Sequence, residues 1–224
     1  MHGVTRGARA QRRVRVFLPA GALWYNTRGG KPSEGGEHTT ADAPLHVTPT
    51  WQRGGSIVPR RETTRRSALA ARWDPITLHV APASNRAAAG RLVLDDGLTR
   101  GEDPAGGPSL HLEFTFACEP ESQPGARCTL RSTATGLPLA RHVHVEAVLI
   151  RGMAPRGGGA TWRVHTADGP GEGHAATVEA VASEGVLVGR MRAPCEESWT
   201  LELELEAAHS DYILNDADSG ERTS

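Results

Sequence analysis

From Trp199 to Glu206 the chain reads WTLELELE, with Trp199, Leu201, Leu203 and Leu205 alternating against Thr200, Glu202, Glu204 and Glu206. A helix would wrap leucines and glutamates onto the same face, whereas successive side chains of a strand point to opposite sides of a sheet. The period of two therefore requires a half-buried strand. The pattern recurs. In LHLEFTFAC, Leu110, Leu112, Phe114 and Phe116 share a face, and in VRVFLPA so do Val14, Val16 and Leu18. In HVHVEAVLI, Val143, Val145, Ala147 and Leu149 alternate with His142, His144, Glu146, Val148 and Ile150. Shorter runs, SIVP, ITLHVA, GRLVLDD, CTLRST, TWRVHT, ATVEAVA and VLVGRM, read as further strands.

Helical signals are weak by comparison. The best window, ETTRRSALAARW, is short and uncapped at its end. Many short strands separated by Gly and Pro predict an all-β chain made of two antiparallel β-sandwich domains. The apolar alternation of ITLHVA gives way to PASNRAAAG near Ala83 to Ala89. That change places the domains at residues 1–86 and 87–208, with 209–224 as a polar tail.

Charge excludes some partners. The formal net charge is -1, so no global field points to nucleic acid or an anionic membrane. Lys31 is the only lysine among the basic residues. The opening MHGVTRGARAQRRVRV lacks the run of about 7–15 apolar residues that a signal peptide needs. No stretch is apolar enough for a spanning helix. Cys118, Cys128 and Cys195 are too few for a disulfide scaffold and have no C-x-x-C spacing for zinc. If the strands around the EPESQPGAR loop form a hairpin, Cys118 and Cys128 come within bridging reach; whether they pair is left open.

Four blocks carry a resemblance: VRVFLPAGALWYN, then VTPTWQRGGSIVPRRETTRRS, then DPITLHVA, then GRLVLDDGLT. Their order and spacing resemble the region directly after the barrel in family 31 α-glucosidases, and QRGGSIVPR with the later RRS is most similar to the glucosidase II branch. The resemblance covers the first half of the chain by motif and the second only by strand pattern. It implies a proximal and a distal β-sandwich that follow a catalytic (β/α)₈ barrel, and the barrel itself is absent from this sequence. The family's nucleophile lies in a W-x-D-M-N type segment, whereas the Trp contexts here are WYN, WQR, WDP, WRV and WTL.

The physical reading of these blocks is architectural. Trp24 and Tyr25 follow a strand and a Gly turn and are expected to cap a sandwich edge with large buried area. Gly54 and Gly55 suit a tight turn into SIVP. Asp95, Asp96 and Gly97 read as a turn; adjacent strand carboxylates face opposite sides and cannot grip one sugar as a glycosidase pair.

Other constellations also have plainer readings. His142, His144 and Glu146 form an H-x-H-x-E array of the kind that binds zinc with one further ligand, but a solvated strand face accounts for them. Arg60 to Arg66 has the charge to attract phosphate, yet Glu62 interrupts it and no aromatics interleave. A loop lying against the barrel is the expected role. Gly157 to Gly159 lacks the Lys and Ser or Thr of a phosphate loop and reads as a flexible connection. The G-x-S-x-G elbow is missing.

No catalytic, cofactor-binding or metal residue is therefore assigned. The expectation is a non-catalytic module that supports the missing barrel of an α-glucosidase and is inactive alone. Through the resemblance, the parent enzyme trims α-linked glucose from N-glycans in the endoplasmic reticulum lumen, with the glucosidase II β subunit as a partner. The alternative is a stand-alone carbohydrate-binding or structural β-sandwich; an independent hydrolase ranks third. On the support reading, the chain alone exposes an apolar surface near Trp51 to Arg66.

Overall fold

The computed structural model describes residues 13–29, 31–97, 107–119, 126–137, 139, 141–166, 169–181 and 185–207. The expected tail, 209–224, lies outside the described residues. Along the chain come β1 (Arg13–Phe17), β2 (Leu23–Asn26), β3 (Ser33–Glu34), β4 (His38–Asp42), β5 (Trp51–Arg53) and β6 (Ser56–Arg60). One helical turn follows, α1 (Ala68–Ala71), then β7 (Ile76–Ala81), β8 (Ala87–Asp95), β9 (Ser109–Cys118) and β10 (Ala126–Gly136). The remainder is β11 (His144–Arg151), β12 (Met153–Thr166), β13 (Gly169–Val181), β14 (Gly185–Gly189), β15 (Ala193–Pro194) and β16 (Trp199–Ala207).

All the expected strands form, and the one helical window yields a single turn. Ser67 caps that turn, its hydroxyl accepting from the Ala70 amide. The fold is all-β, but the strands do not divide into two antiparallel sandwiches. An 11-stranded sheet runs β14-β13-β12-β16-β10-β9-β8-β6-β7-β11-β15, and β11 also pairs β14. The sheet thus closes on itself, which removes the free edges that an open sheet exposes.

Two of the joints, β6 to β8 and β7 to β11, are parallel. Alternation could not foresee them, because it fixes which face a residue takes and says nothing of which strand lies alongside. β6 and β7 therefore share a sheet with strands beyond residue 86. At the β6–β8 joint Ser56 pairs with Ala89, and Gly90 passes so close to Ile57 that a Cβ there would collide with its backbone. β11 reaches this arrangement by dividing one edge, with His144 and Val145 pairing β15 and Val148 to Arg151 pairing β14.

The core fills the ring. Leu110, Leu112, Phe114 and Phe116 of β9 are at most 2% exposed. On the other side of β10 lie Trp199, Leu201, Leu203 and Leu205 of β16, in the same core. Phe114 and Trp199 meet at 6.4 Å between ring centroids. Each such side chain contributes about 1.5–3 kcal/mol by leaving water.

β11 departs from its expected faces. Its register against β7 shifts between Val145 and Ala147, and a bulge of this kind reverses the phase of every later residue. The core consequently takes Val145, Val148 and Ile150 in place of Ala147 and Leu149. Gly157 to Gly159 correct a second expectation. They lie inside β12, where the pairing with β16 is irregular between Pro155 and Ala160, and they are not a connection between elements. Glycine within a strand commonly marks such an irregularity.

Two small sheets stand outside the ring: β1 with β4, and β3-β2-β5. Tyr25 of β2 is buried and donates its hydroxyl to the Pro82 carbonyl at 2.8 Å, with burial pushing its pKa up to about 12. Trp24 is half-buried and donates Nε1 to the Pro19 carbonyl at 2.9 Å. The expected capping role fits Tyr25 better than Trp24. At the turn into β6 it is Gly55 that takes the positive φ, 85°. Gly54 instead donates to the Leu23 carbonyl at 2.7 Å, tying β2 to the ring.

Candidate functional site

β7 is buried along its whole length, from Ile76 to Ala81. A histidine in such a strand must find partners for both ring nitrogens. His79, 6% exposed, finds them on two sides. Its Nε2 lies 2.7 Å from Glu62 Oε1 and its Nδ1 3.3 Å from Nη2 of Arg151, a guanidinium only 2% exposed. Arginine can only donate, so Nδ1 accepts and the ring proton sits on Nε2, facing the carboxylate. Arg151 Nη2 also donates to the Thr27 carbonyl at 3.3 Å, and Gln52 donates to the His79 carbonyl at 2.8 Å. The result is a polar clasp joining β5, β7, β11 and the segments after β2 and β6.

The clasp holds His79 neutral. Burial lowers its pKa most; the Glu62 hydrogen bond opposes that, while the Arg60 and Arg151 cations add to the lowering. Its Nδ1 is occupied by the Arg151 cation and its Nε2–H by the Glu62 carboxylate, so the ring ties strands together. Its chemistry is positional.

A second contact finishes the work on the same segment. Arg65 grips Asp74 with two bonds, Nε to Oδ2 at 2.8 Å and Nη2 to Oδ1 at 2.7 Å, and this pairing holds the Asp74 carboxyl below its ordinary range. Arg61 donates to the Arg72 carbonyl at 2.9 Å. The run from Arg60 to Arg66 is therefore folded onto the protein's own groups, and Glu62, which interrupts its charge, is the residue that anchors it.

The other candidates fall elsewhere. Asp95 ends β8 and its Oδ1 accepts from the Gly97 amide at 2.9 Å, where Gly97 has a φ of 59°. Asp96 offers its carbonyl to Arg72 Nη2 at 2.5 Å. This is the turn geometry the sequence suggested. His142 lies before β11, largely exposed, with Nδ1 3.5 Å from Glu196 Oε1. It does not share a strand with His144 and Glu146, and among the described residues no group of three or more His, Cys, Asp or Glu could hold a metal.

Cys118 and Cys128 stand directly opposite one another across β9 and β10 and form a disulfide. Cys195 is a buried free thiol, its pKa pushed up to about 12 chiefly by burial. The clasp itself escaped sequence reading because Gln52, Glu62, His79 and Arg151 are far apart in the chain. One signal was present: a histidine inside ITLHVA, an otherwise apolar run.

Comparison with known proteins places this architecture. Residues 2–58 match the glycosyl hydrolase family 31 C-terminal domain. A probable glucan 1,3-alpha-glucosidase of Oryza sativa subsp. japonica is 40% identical over 107 residues, covering 48% of this chain and 11% of that protein. Neutral alpha-glucosidase AB of Homo sapiens is 41% identical over 87 residues, 38% of this chain and 9% of the relative. The chain thus spans about a tenth of the length of these relatives. In fold it is similar to the catalytic subunit in the crystal structure of the ER glucosidase II heterodimeric complex. That match has a TM-score of 0.69 and 24% identity and covers 88% of this chain and 22% of the other. A Flavobacterium johnsoniae family 31 dextranase shares the fold at a TM-score of 0.61 and 16% identity. By sequence over roughly half its length and by fold over most of it, the chain resembles the C-terminal region of glycoside hydrolase family 31 α-glucosidases of the glucosidase II type.

Proposed function

We propose that these residues serve as the non-catalytic C-terminal part of an α-glucosidase, supporting the barrel that performs the hydrolysis. The observation that carries this is the open ribbon of β1 and β4, in the stretch that matches the family domain. Phe17 is 54% exposed and Val14 39%, and among the described residues the ribbon pairs with no strand of the ring. An apolar ribbon left outside a closed sheet suits a neighbouring domain as its cover.

The division into 1–86 and 87–208 belongs to this proposal. The first part lies under the barrel, and its β6 and β7 continue into the sheet of the second. In the parent enzyme we infer removal of α-linked glucose from N-glycans in the endoplasmic reticulum lumen, with a regulatory β subunit as partner. The Cys118–Cys128 bridge supports an oxidising compartment. The glucosidase II complex mentioned above pairs a catalytic subunit with a domain of a regulatory one.

The test is to mix the purified chain with a chromogenic α-glucoside and, separately, with immobilised glucan. Neither turnover nor retention is expected. Turnover abolished by changing one acidic residue of this chain would revive the independent enzyme, and retention on glucan would favour a stand-alone carbohydrate-binding module.

A further inference from the structure

Behind α1, between the arginine-rich segment and the end of β8, lies a cleft of about 330 Å³, within the size range of small-molecule sites. Arg61, Arg72, Trp73, Leu94, Asp95 and Leu139 are among its walls. Two guanidinium groups gather on the Trp73 ring: Arg72 at 5.6 Å from the ring centroid and the exposed Arg141 at 6.0 Å. The indole attracts each cation, but the two repel one another.

Among the described residues no carboxylate answers either of them. Arg72 directs Nη2 to the Asp96 carbonyl, while Asp95 turns Oδ1 to the Gly97 amide. A third cation stands behind. Arg61 Nε is buried with no partner among the described residues, although its Nη2 is bonded to the Arg72 carbonyl. A buried donor left unmet is destabilising, and an acceptor entering the cleft would satisfy it. The other wall is apolar, with Leu94 and Leu139 buried and Val93 56% exposed.

We propose that this cleft binds a small organic anion, its carboxylate or phosphate held by Arg72 and the unmet Arg61 Nε of the lining, with Arg141 adding its charge from beside Trp73, and its apolar body against Leu94 and Leu139. Guanidinium groups match both headgroups because their N–H bonds fork in a plane. A neutral sugar fits less well, since the indole that would stack on it already carries cations. The site goes beyond the support role and does not depend on it.

Isothermal titration of the purified chain with inorganic phosphate, citrate and methyl α-glucoside tests the assignment at low salt. Saturable binding of at least one anion, and none of the glucoside, is expected. Phosphate alone or citrate alone would name the headgroup. Arg141→Gln and Arg72→Gln should each weaken binding at least tenfold, whereas Arg13→Gln, on the distant ribbon, should leave it unchanged. Arg141 is exposed, so its variant decides the matter if loss of the Asp96 contact unfolds the Arg72 variant. Absence of binding by both anions, an Arg141 variant that binds like the parent, or equal weakening by Arg13→Gln would overturn the proposal.

Discussion

The strand VRVF of β1 and the strand TLELEL of β16 are written in the same alternating code, yet one lies open and the other is sealed. Along β16 the odd residues Trp199, Leu201, Leu203 and Leu205 are at most 4% exposed. Along β1 only Val16 is more than marginally covered, and the residues on either side face solvent. The difference is one of neighbours. β16 sits between β10 and β12 with its apolar side in the core beside that of β9, whereas among the described residues β1 pairs β4 alone. Periodicity states that a face wants cover; it does not state whether this chain supplies it.

The sharpest way to break the comparison is to truncate one aromatic from each region. Phe114→Ala should cost about 3–5 kcal/mol, read as a lower midpoint in urea unfolding, because the ring of strands around it cannot collapse into the space. A loss below about 1 kcal/mol would mean that the core is looser than its burial implies.

The next effect tests the covalent tie beside that core. Replacing Cys118 and Cys128 by Ser removes a bridge that closes a short loop, with an expected loss of about 3 kcal/mol. The reductant dependence of the parent's urea midpoint should vanish in the double variant. The buried Cys195 thiol, held protonated, should remain unmodified by alkylating agents until the chain unfolds.

A smaller effect separates the clasp from both. Because the folded state lowers the His79 pKa, the unfolded chain binds more protons at mildly acid pH. His79 therefore contributes stability that is fully present above the ordinary histidine pKa of about 6.5 and is lost as pH falls through that value toward the lower folded one. The urea midpoint should drop between pH 7.5 and 5.5, and His79→Gln should flatten that part of the profile. An unchanged slope in the variant would remove His79 as the cause.

The smallest change in stability belongs to the ribbon. Phe17→Ser should alter unfolding by no more than about 0.5 kcal/mol, yet reduce hydrophobic-dye binding or self-association of the isolated chain. Equal dye binding by parent and variant would place the exposed surface elsewhere. The sequence pointed to Trp51 to Arg66, where the structure exposes Val58 at 40% and buries Ile57 and Gln52; Phe17 at 54% and Leu45 at 95% are more exposed.

What the sequence determined by itself is the class of structure and the local pieces. Strict alternation named the inner faces of β9 and β16 residue by residue, since a strand leaves no other place for those side chains. The pair Asp95 and Gly97 announced its turn for the same local reason: the carboxylate reaches an amide two residues on, and glycine accepts the backbone angle. Four short blocks sufficed to bring the family resemblance into view.

Tertiary structure alone decided the rest. Closure of the sheet depends on the parallel joints at Ser56 with Ala89 and at Val145 to Ile150 with Ile76 to Val80, which pair strands remote in sequence. The bulge after Val145 reversed the faces of β11, and a single inserted residue leaves no mark in a run that is apolar on both sides. The clasp of Glu62, His79 and Arg151 arises because burial of β7 compels its one histidine to find partners from other strands. Burial is a property of the assembled sheet, and no local stretch of residues encodes it.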